Sequence, residues 1–557
     1  QEGRLAPALL FDDRKESMMA RQIKQVGNMR LPELVSFVIC AVSLLSLIHV
    51  QSGALAQSSK PGPTATLSVT KILENVRKAV GYNRIKNLKR GFVIEEVADV
   101  PDASGGTTRM YGSAGEFREQ PAGKDARPFG FDGRYGWSID RTGFPTPMPQ
   151  RLREKLLIPA WVRSGWWLSE DAPLAISLLP DETTDARVAL SLRFRHGLVG
   201  AKLFVDRATW LPAQLVVEYE RGPYTLELKD YSESLGFRFP QRTTVNYRGS
   251  TDSFKIKSIV EIPASQSDAF KSPPRPDDTT FNNSLPAEVK VAQGVPFSDG
   301  SEGHYYVRPL IDGREVGWFN FDSGADMMQI DEKIADELKM PVLGKSQTRG
   351  ADGKPMQVTI RQGKTFQLGR MIYKDPFFLA SDLSDKNAPP GEKRAGFIGY
   401  PFFARAVVEV TGGGKRIAVY DPASYKLPKG KWQELSYIDL TPASIFRFEG
   451  NREGLFQIDT GYSGTVTFYR DFINEQKLLE GRAVKEETAI GAGGTYKSYV
   501  GTIEWFELAG QRFKNPTAGF RTEGMSREGG AGVVGRDFLR DFTIVFNYPE
   551  RRIAFIR

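Results

Sequence analysis

The chain has 557 residues but only one cysteine, Cys40, and three histidines, His49, His196 and His304. A single thiol cannot close an internal disulfide, so stability has to come from core burial. The histidines are far apart and lack the clustered His, Cys or carboxylate spacing of a zinc site. No metal and no cofactor are expected. A Walker-type phosphate loop and a dinucleotide fingerprint are missing, and so is a nucleophile elbow. The run Gly412-Gly413-Gly414 has the spacing of neither nucleotide motif and reads as a turn. Lys and Arg number 75 against 67 Asp and Glu, a net charge of +8. No basic stripe with interleaved aromatics stands out, so the surface is mildly cationic and nucleic acid is not an expected partner.

Hydrophobic residues make up 40% of the chain, which at this length is ample core for several domains. The sequence begins at Gln1, and Met18, Met19 and Met29 are candidate starts. An apolar run from Leu34 to Ile48 follows Arg21, Lys24 and Arg30 and ends near Ala54-Leu55-Ala56. A basic flank, an apolar centre and small residues at the end form the pattern of a secretory signal peptide. Export is therefore expected, to a bacterial periplasm, with an uncleaved membrane-anchored form as the alternative.

Two Asp-hydroxyl-Gly triplets carry the chemistry. Asp322-Ser323-Gly324-Ala325 follows the apolar run Trp318-Phe319-Asn320-Phe321, and Asp459-Thr460-Gly461 follows Leu455-Phe456-Gln457-Ile458. Either triplet alone would suit an ordinary turn. Around them, however, the C-terminal half repeats itself. Phe366-Gln367-Leu368-Gly369 matches Phe506-Glu507-Leu508-Ala509. Gly396-Phe397-Ile398-Gly399 matches Gly532-Val533-Val534-Gly535, at offsets of 399 − 322 = 77 and 535 − 459 = 76. Both repeats close on Arg-Ile-Ala, at Arg416-Ile417-Ala418 and Arg552-Ile553-Ala554.

This pattern resembles the retropepsin-like aspartic proteases, in which an apolar strand, Asp-Thr/Ser-Gly-Ala, a Gly-rich flap and two apolar residues with a Gly follow in order. The resemblance covers roughly residues 295 to 557. It implies two lobes in tandem, an internal pseudo-dimer as in pepsin-like enzymes, with Asp322 and Asp459 as the catalytic pair and Ser323, Gly324, Thr460 and Gly461 in support. Two carboxylates about 3 Å apart share one proton, so one can activate a water as base while the other donates to the scissile carbonyl. Flap tips are expected at Gly350-Ala351-Asp352-Gly353 and Gly491-Ala492-Gly493-Gly494. The residue after Gly461 is Tyr462, where the family usually has Ala or Ser. A phenol there is expected to crowd the pair or reshape a subsite, which leaves a catalytically degenerate peptide-binding protein as the alternative.

Ahead of the repeats, a helix is expected from Val69, with Ile72, Val76 and Val80 on one face and Gly81 ending it. Alternating runs at Phe92-Val93-Ile94, Ala189 to Leu192, Lys202 to Val205 and Gln214 to Val217 read as strands. A second helix run is expected only at the tryptophan-rich stretch Trp161 to Trp167. Three phrases resemble the LolA-type lipoprotein-carrier family: Phe131-Asp132-Gly133 with Trp137, Leu203-Phe204-Val205-Asp206 with Thr209 and Leu211-Pro212, and Asp230-Tyr231 with Gly236 and Pro240. That resemblance implies a curved sheet around a helix. Phe92, Trp137, Trp166, Trp167 and Trp210 would fill its core or line an apolar hollow for a lipid or lipoprotein.

The expected fold is mainly β: an antiparallel half-barrel with few helices, then a bilobal acid-protease pseudo-dimer. The expected division is an N-terminal extension and signal peptide over 1–56, a linker over 57–67, the half-barrel over 68–262, a linker over 263–294, and lobes over 295–428 and 429–557. The expected function is that of an exported aspartic endopeptidase acting as a monomer on a peptide or protein substrate. The rival readings are a peptide-binding protein and a periplasmic lipid- or lipoprotein-binding protein with accessory lobes.

Overall fold

The structure, a computed structural model, describes residues 68–557 except 100–105, 124–125, 196, 198, 220–221, 267, 297–301, 350–354, 384–387, 390–391, 492–493, 524–526 and 528. The apolar run Leu34–Ile48, Cys40, His49 and His196 lie outside the described residues. The fold is mainly β. No helix among the described residues is long and apolar enough to cross a membrane.

The N-terminal part is a single curled antiparallel sheet of 13 strands. Six strands from Phe92 to Pro147 meander outward, and seven from Leu174 to Glu261 meander back. The two runs are joined where Phe92–Ala98 pairs with Ser250–Glu261. Helix Val69–Val80 packs against the strand Phe237–Tyr247. Its Ser68 hydroxyl accepts the Lys71 N–H, its buried face is Ile72, Val76 and Val80, and Gly81 closes it at φ 74°, a left-handed conformation that costs glycine little. A second helix, Gln150–Ser164, starts well before the tryptophans. Its opening turn is charged and its later turns are buried on several sides (Leu157, Ile158, Ala160, Trp161, Val162). It therefore lacks the clean amphipathic stripe that announces a helix in sequence. Phe92, Trp137 and Trp167 are packed core, while Trp166 and Trp210 are half-buried against it. Glu96 lies buried between Arg109 and Arg163.

The C-terminal part contains the same strand arrangement twice. In the first repeat we label β1 (Tyr305–Val307), β2 (Trp318–Phe321), β3 (Gln329–Asp331), β4 (Val342–Arg349), β5 (Pro355–Gln362), β6 (Phe377–Ser381) and β7 (Arg394–Ile398). In the second we label β8 (Thr441–Phe448), β9 (Arg452–Ile458), β10 (Val466–Phe468), β11 (Val484–Gly491), β12 (Gly494–Thr502), β13 (Thr517–Arg521) and β14 (Gly532–Val534). The sheet orders are β1-β2-β7-β3-β6-β5-β4 and β8-β9-β14-β10-β13-β12-β11. Strand directions agree as well: β2 is parallel to β7 as β9 is to β14, and β3 is parallel to β6 as β10 is to β13.

The closing strands of the two repeats share one further sheet of five strands. Val407–Thr411 pairs with Thr543–Asn547 in antiparallel register, flanked by Arg416–Tyr420 and Arg552–Ile556. The triple-glycine run makes the turn between Val407–Thr411 and Arg416–Tyr420.

The stretch 263–294 is not free chain. Trp137 donates its indole N–H to the Phe270 carbonyl at 2.9 Å, Thr279–Phe281 pairs with Met371–Lys374, and Val291–Gln293 pairs with β1. Asp278 neutralises the buried Arg405, whose guanidinium also stands 4.0 Å from the Phe144 ring and 3.8 Å from the Tyr373 ring. Phe144, from the half-barrel, is thereby buried in the core of the C-terminal part.

Candidate active site

Each triplet begins where its apolar strand ends. The Asp322 N–H donates to the Ile398 carbonyl at 3.1 Å and the Asp459 N–H to Val534 at 3.0 Å. The strands β7 and β14 thus hold both loops at the same height. The loops then lock into one another. The Ser323 N–H donates to Thr460 Oγ1 and the Thr460 N–H to Ser323 Oγ, both at 3.0 Å. Ser323 Oγ–H donates to the Ile458 carbonyl at 2.8 Å, and Thr460 Oγ1–H donates to that of Phe321 at 3.0 Å. All four bonds are buried. Each is worth about 1 kcal/mol net, and leaving one of these donors unpaired costs more.

The glycines make the close approach possible. An added Cβ on Gly324 would lie 2.4 Å from Asp459 Oδ2, and one on Gly461 would lie 2.6 Å from Asp322 Cγ. Their N–H groups donate to Asp322 Oδ1 at 2.8 Å and Asp459 Oδ1 at 2.7 Å. The structure thus brings together Asp322, Ser323, Gly324, Asp459, Thr460 and Gly461, all six of the expected core residues.

The two carboxyls also share a hydrogen bond and titrate together. Burial pushes Asp322 well above the usual carboxylate range, and the Asp459 charge adds to this. Burial raises Asp459 too, but the Gly461 N–H and the bond from Asp322 hold it back. Both carboxyls are thus held above the usual range, and they share a proton as one unit.

Tyr462 turns along its own repeat. Its hydroxyl bonds to Thr467 Oγ1 at 2.7 Å. Its ring fills the space beside Gly464 and Gly535, where an added Cβ would come within 2.6 and 2.5 Å of it. Ala325 takes the matching place against Gly399, at 3.0 Å from such a Cβ. Both backbones continue alike: the Ala325 carbonyl accepts from Tyr400 N–H and the Tyr462 carbonyl from Arg536 N–H, each at 2.9 Å.

Of the expected flap residues, Gly350, Ala351, Asp352, Gly353, Ala492 and Gly493 lie outside the described residues. The hairpins beneath them are described. β4 and β5 pair up to Arg349↔Pro355, and β11 and β12 up to Gly491↔Gly494.

Two arginines near the pair were not singled out by sequence. The Arg394 charge acts on Asp322, and that of Arg527 on Asp459. Arg527 is anchored to Asp439 at 3.0 Å. They occupy different places in the two repeats, so the internal duplication offers no signal for them.

The family described as Aspartyl protease matches residues 307–402. The matched stretch includes Asp322 and ends before Asp459. The chain therefore contains an aspartyl protease region, and a protease-like function in general follows. No curated protein matches the chain. Among solved structures, a crystal structure of a LolA superfamily protein from Nitrosomonas europaea is similar at 13% identity, covering 36% of this chain and 97% of that one, with a TM-score of 0.26.

Proposed function

We propose that the protein is an exported aspartic endopeptidase whose two repeats form a single-chain pseudo-dimer around an Asp322–Asp459 dyad. The reciprocal bonding of Ser323 and Thr460 supports this reading, because it ties together two loops whose carboxyls come from distant parts of the sequence.

In the proposed mechanism Asp322 and Asp459 start with one proton between them. The ionised carboxylate takes a proton from a water as it attacks the scissile carbonyl, while its protonated partner gives its proton to the carbonyl oxygen. The roles then exchange as the tetrahedral intermediate collapses and the amine leaves protonated. The pair acts as one titrating unit. The hairpins β4–β5 and β11–β12 would close over an extended peptide.

The test is digestion of a peptide library at acidic to neutral pH with and without a statine-type inhibitor. Wild type should cut and the inhibitor should stop it, while Asp322→Asn and Asp459→Asn should be folded and inactive. Cutting by either variant would refute the mechanism, and tight peptide binding without cutting by wild type would establish the degenerate reading instead. Export is tested separately, by the N-terminal sequence of the protein recovered from a bacterial periplasmic fraction.

A further inference from the structure

The half-barrel meets the C-terminal part along a seam rich in arginine. Three of its guanidiniums make no ion pair among the described residues, although the neighbouring Glu154 charge acts on Arg153. Arg551 follows the turn Tyr548–Glu550 and lies 4.2 Å over the Tyr135 ring. Arg153, on helix Gln150–Ser164, packs beside Gly136, where an added Cβ would meet its Cδ at 3.2 Å. The Arg153 and Arg551 charges oppose one another. Arg275 donates to the Pro549 carbonyl at 2.6 Å and stands 5.4 Å from the Phe144 ring.

Acids along the seam are already engaged. Glu434 accepts from Arg134 and from the Tyr135 hydroxyl, both at 2.9 Å. Asp278 is held by Arg405. Asp140 Oδ1 accepts three bonds from neutral donors of its own turn, the Thr142 N–H and hydroxyl and the Phe144 N–H, and its charge still acts on Tyr400.

Phenols face the same place. Tyr400 and Tyr437 stand edge to face at 6.1 Å, with the Tyr548 ring 5.8 and 5.4 Å from them. Burial raises Tyr400 and Tyr437 above the usual phenol range, and the charges of Arg275 and Arg551 act on both in the opposite direction. The hydroxyl of Tyr548 is buried with no hydrogen-bond partner among the described residues.

We propose that this seam is a binding site for a phosphate group, with Arg153, Arg275 and Arg551 supplying charge and forked donors and Tyr400 and Tyr437 supplying phenolic donors. The Arg551 charge opposes those of Arg153 and Arg275, and a group carrying nearly two charges on several oxygens offsets this better than a carboxylate with one. Free phosphate and a lipid headgroup share that chemistry. The proposal does not require peptidase activity, although the Tyr400 N–H bonds the Ala325 carbonyl at the end of the first Asp loop.

The test uses the full chain. Inorganic phosphate is titrated calorimetrically in chloride-matched buffer, and phosphatidylcholine vesicles with and without phosphatidic acid are used in co-sedimentation. Wild type should bind at least one source saturably, with a Kd of about 1 mM or tighter for free phosphate. Phosphate binding without vesicle binding assigns the free ion, and vesicle binding that needs phosphatidic acid assigns a headgroup. Arg551→Gln and Arg275→Gln should each weaken binding by about tenfold with unchanged melting in phosphate-free buffer. Arg134→Gln, whose charge Glu434 already neutralises, should bind as wild type. If Arg551→Gln melts early, Arg153→Gln replaces it. Absence of binding to both sources, equal weakening by Arg134→Gln, or wild-type binding by the Arg153 and Arg275 variants overturns the proposal.

Discussion

Ser323 and Thr460 exchange main-chain N–H for side-chain oxygen in both directions at the same 3.0 Å. Neither loop can move without unpairing a buried donor on the other. Removing one hydroxyl, in Ser323→Ala or Thr460→Ala, should destabilise the protein by about 1–3 kcal/mol. Thr460→Ser keeps the oxygen and should cost less. Urea unfolding of the three variants measures this, and equal losses for Thr460→Ala and Thr460→Ser would show that the methyl, not the bond, matters.

The raised dyad makes stability depend on pH with a definite sign. Asp322 is held well above its usual range in the fold, so the folded state binds its proton more tightly than the unfolded chain does. That contribution is fully present below the unfolded carboxylate value of about 4 and is lost as pH rises through the folded value. Asp322→Asn has no carboxyl to ionise there. Its melting temperature should therefore gain on wild type as pH is raised from acid toward neutral. A constant difference across that range would contradict the shift.

Gly324→Ala and Gly461→Ala should each abolish or sharply reduce peptide cleavage, because the new methyl would meet the opposite carboxyl at 2.4–2.6 Å. Real Cβ contacts are not that short, so one loop must retreat. Near-wild-type cleavage by either variant would mean that the loops tolerate separation.

Tyr462→Phe removes only the hydroxyl bonded to Thr467. Its expected cost is about 1 kcal/mol in stability with cleavage largely retained, since that hydroxyl bonds within its own repeat. A large loss of kcat at unchanged stability would instead give the phenol a part in catalysis.

Glu96→Gln leaves Arg109 and Arg163 without their shared buried carboxylate. Breaking such a cluster from one side costs about 3–5 kcal/mol. The loss should appear in chemical unfolding of the half-barrel, and a neutral result would mean that water reaches this network.

Much of the fold was legible where one local rule acts alone. Ile72, Val76 and Val80 between Ser68 and Gly81 mark a helix without tertiary help. The two triplets were legible because a duplication repeats its spacing, and the loop hydroxyls followed from the resemblance. Helix Gln150–Ser164 was hidden up to its tryptophans, since burial on several sides erases the periodicity. The short strands Thr279–Phe281 and Val291–Gln293 lay in a Pro- and Ser-rich stretch and are strands only because distant edges accept them. Ala509 holds φ 51° in the turn where the first repeat has Gly369. Its non-glycine residue gives no local sign of a left-handed turn. Arg394 and Arg527 reach the dyad through space, which no spacing rule encodes.

The closing strands Val407–Thr411 and Thr543–Asn547 are joined edge to edge within one polypeptide. Dilution cannot separate halves that are parts of one molecule, so the pairing of the two Asp loops is concentration-independent. It also frees the halves from having to stay alike. A substitution in one copy is not imposed on the other, and a small residue at Ala325 can stand opposite a large one at Tyr462.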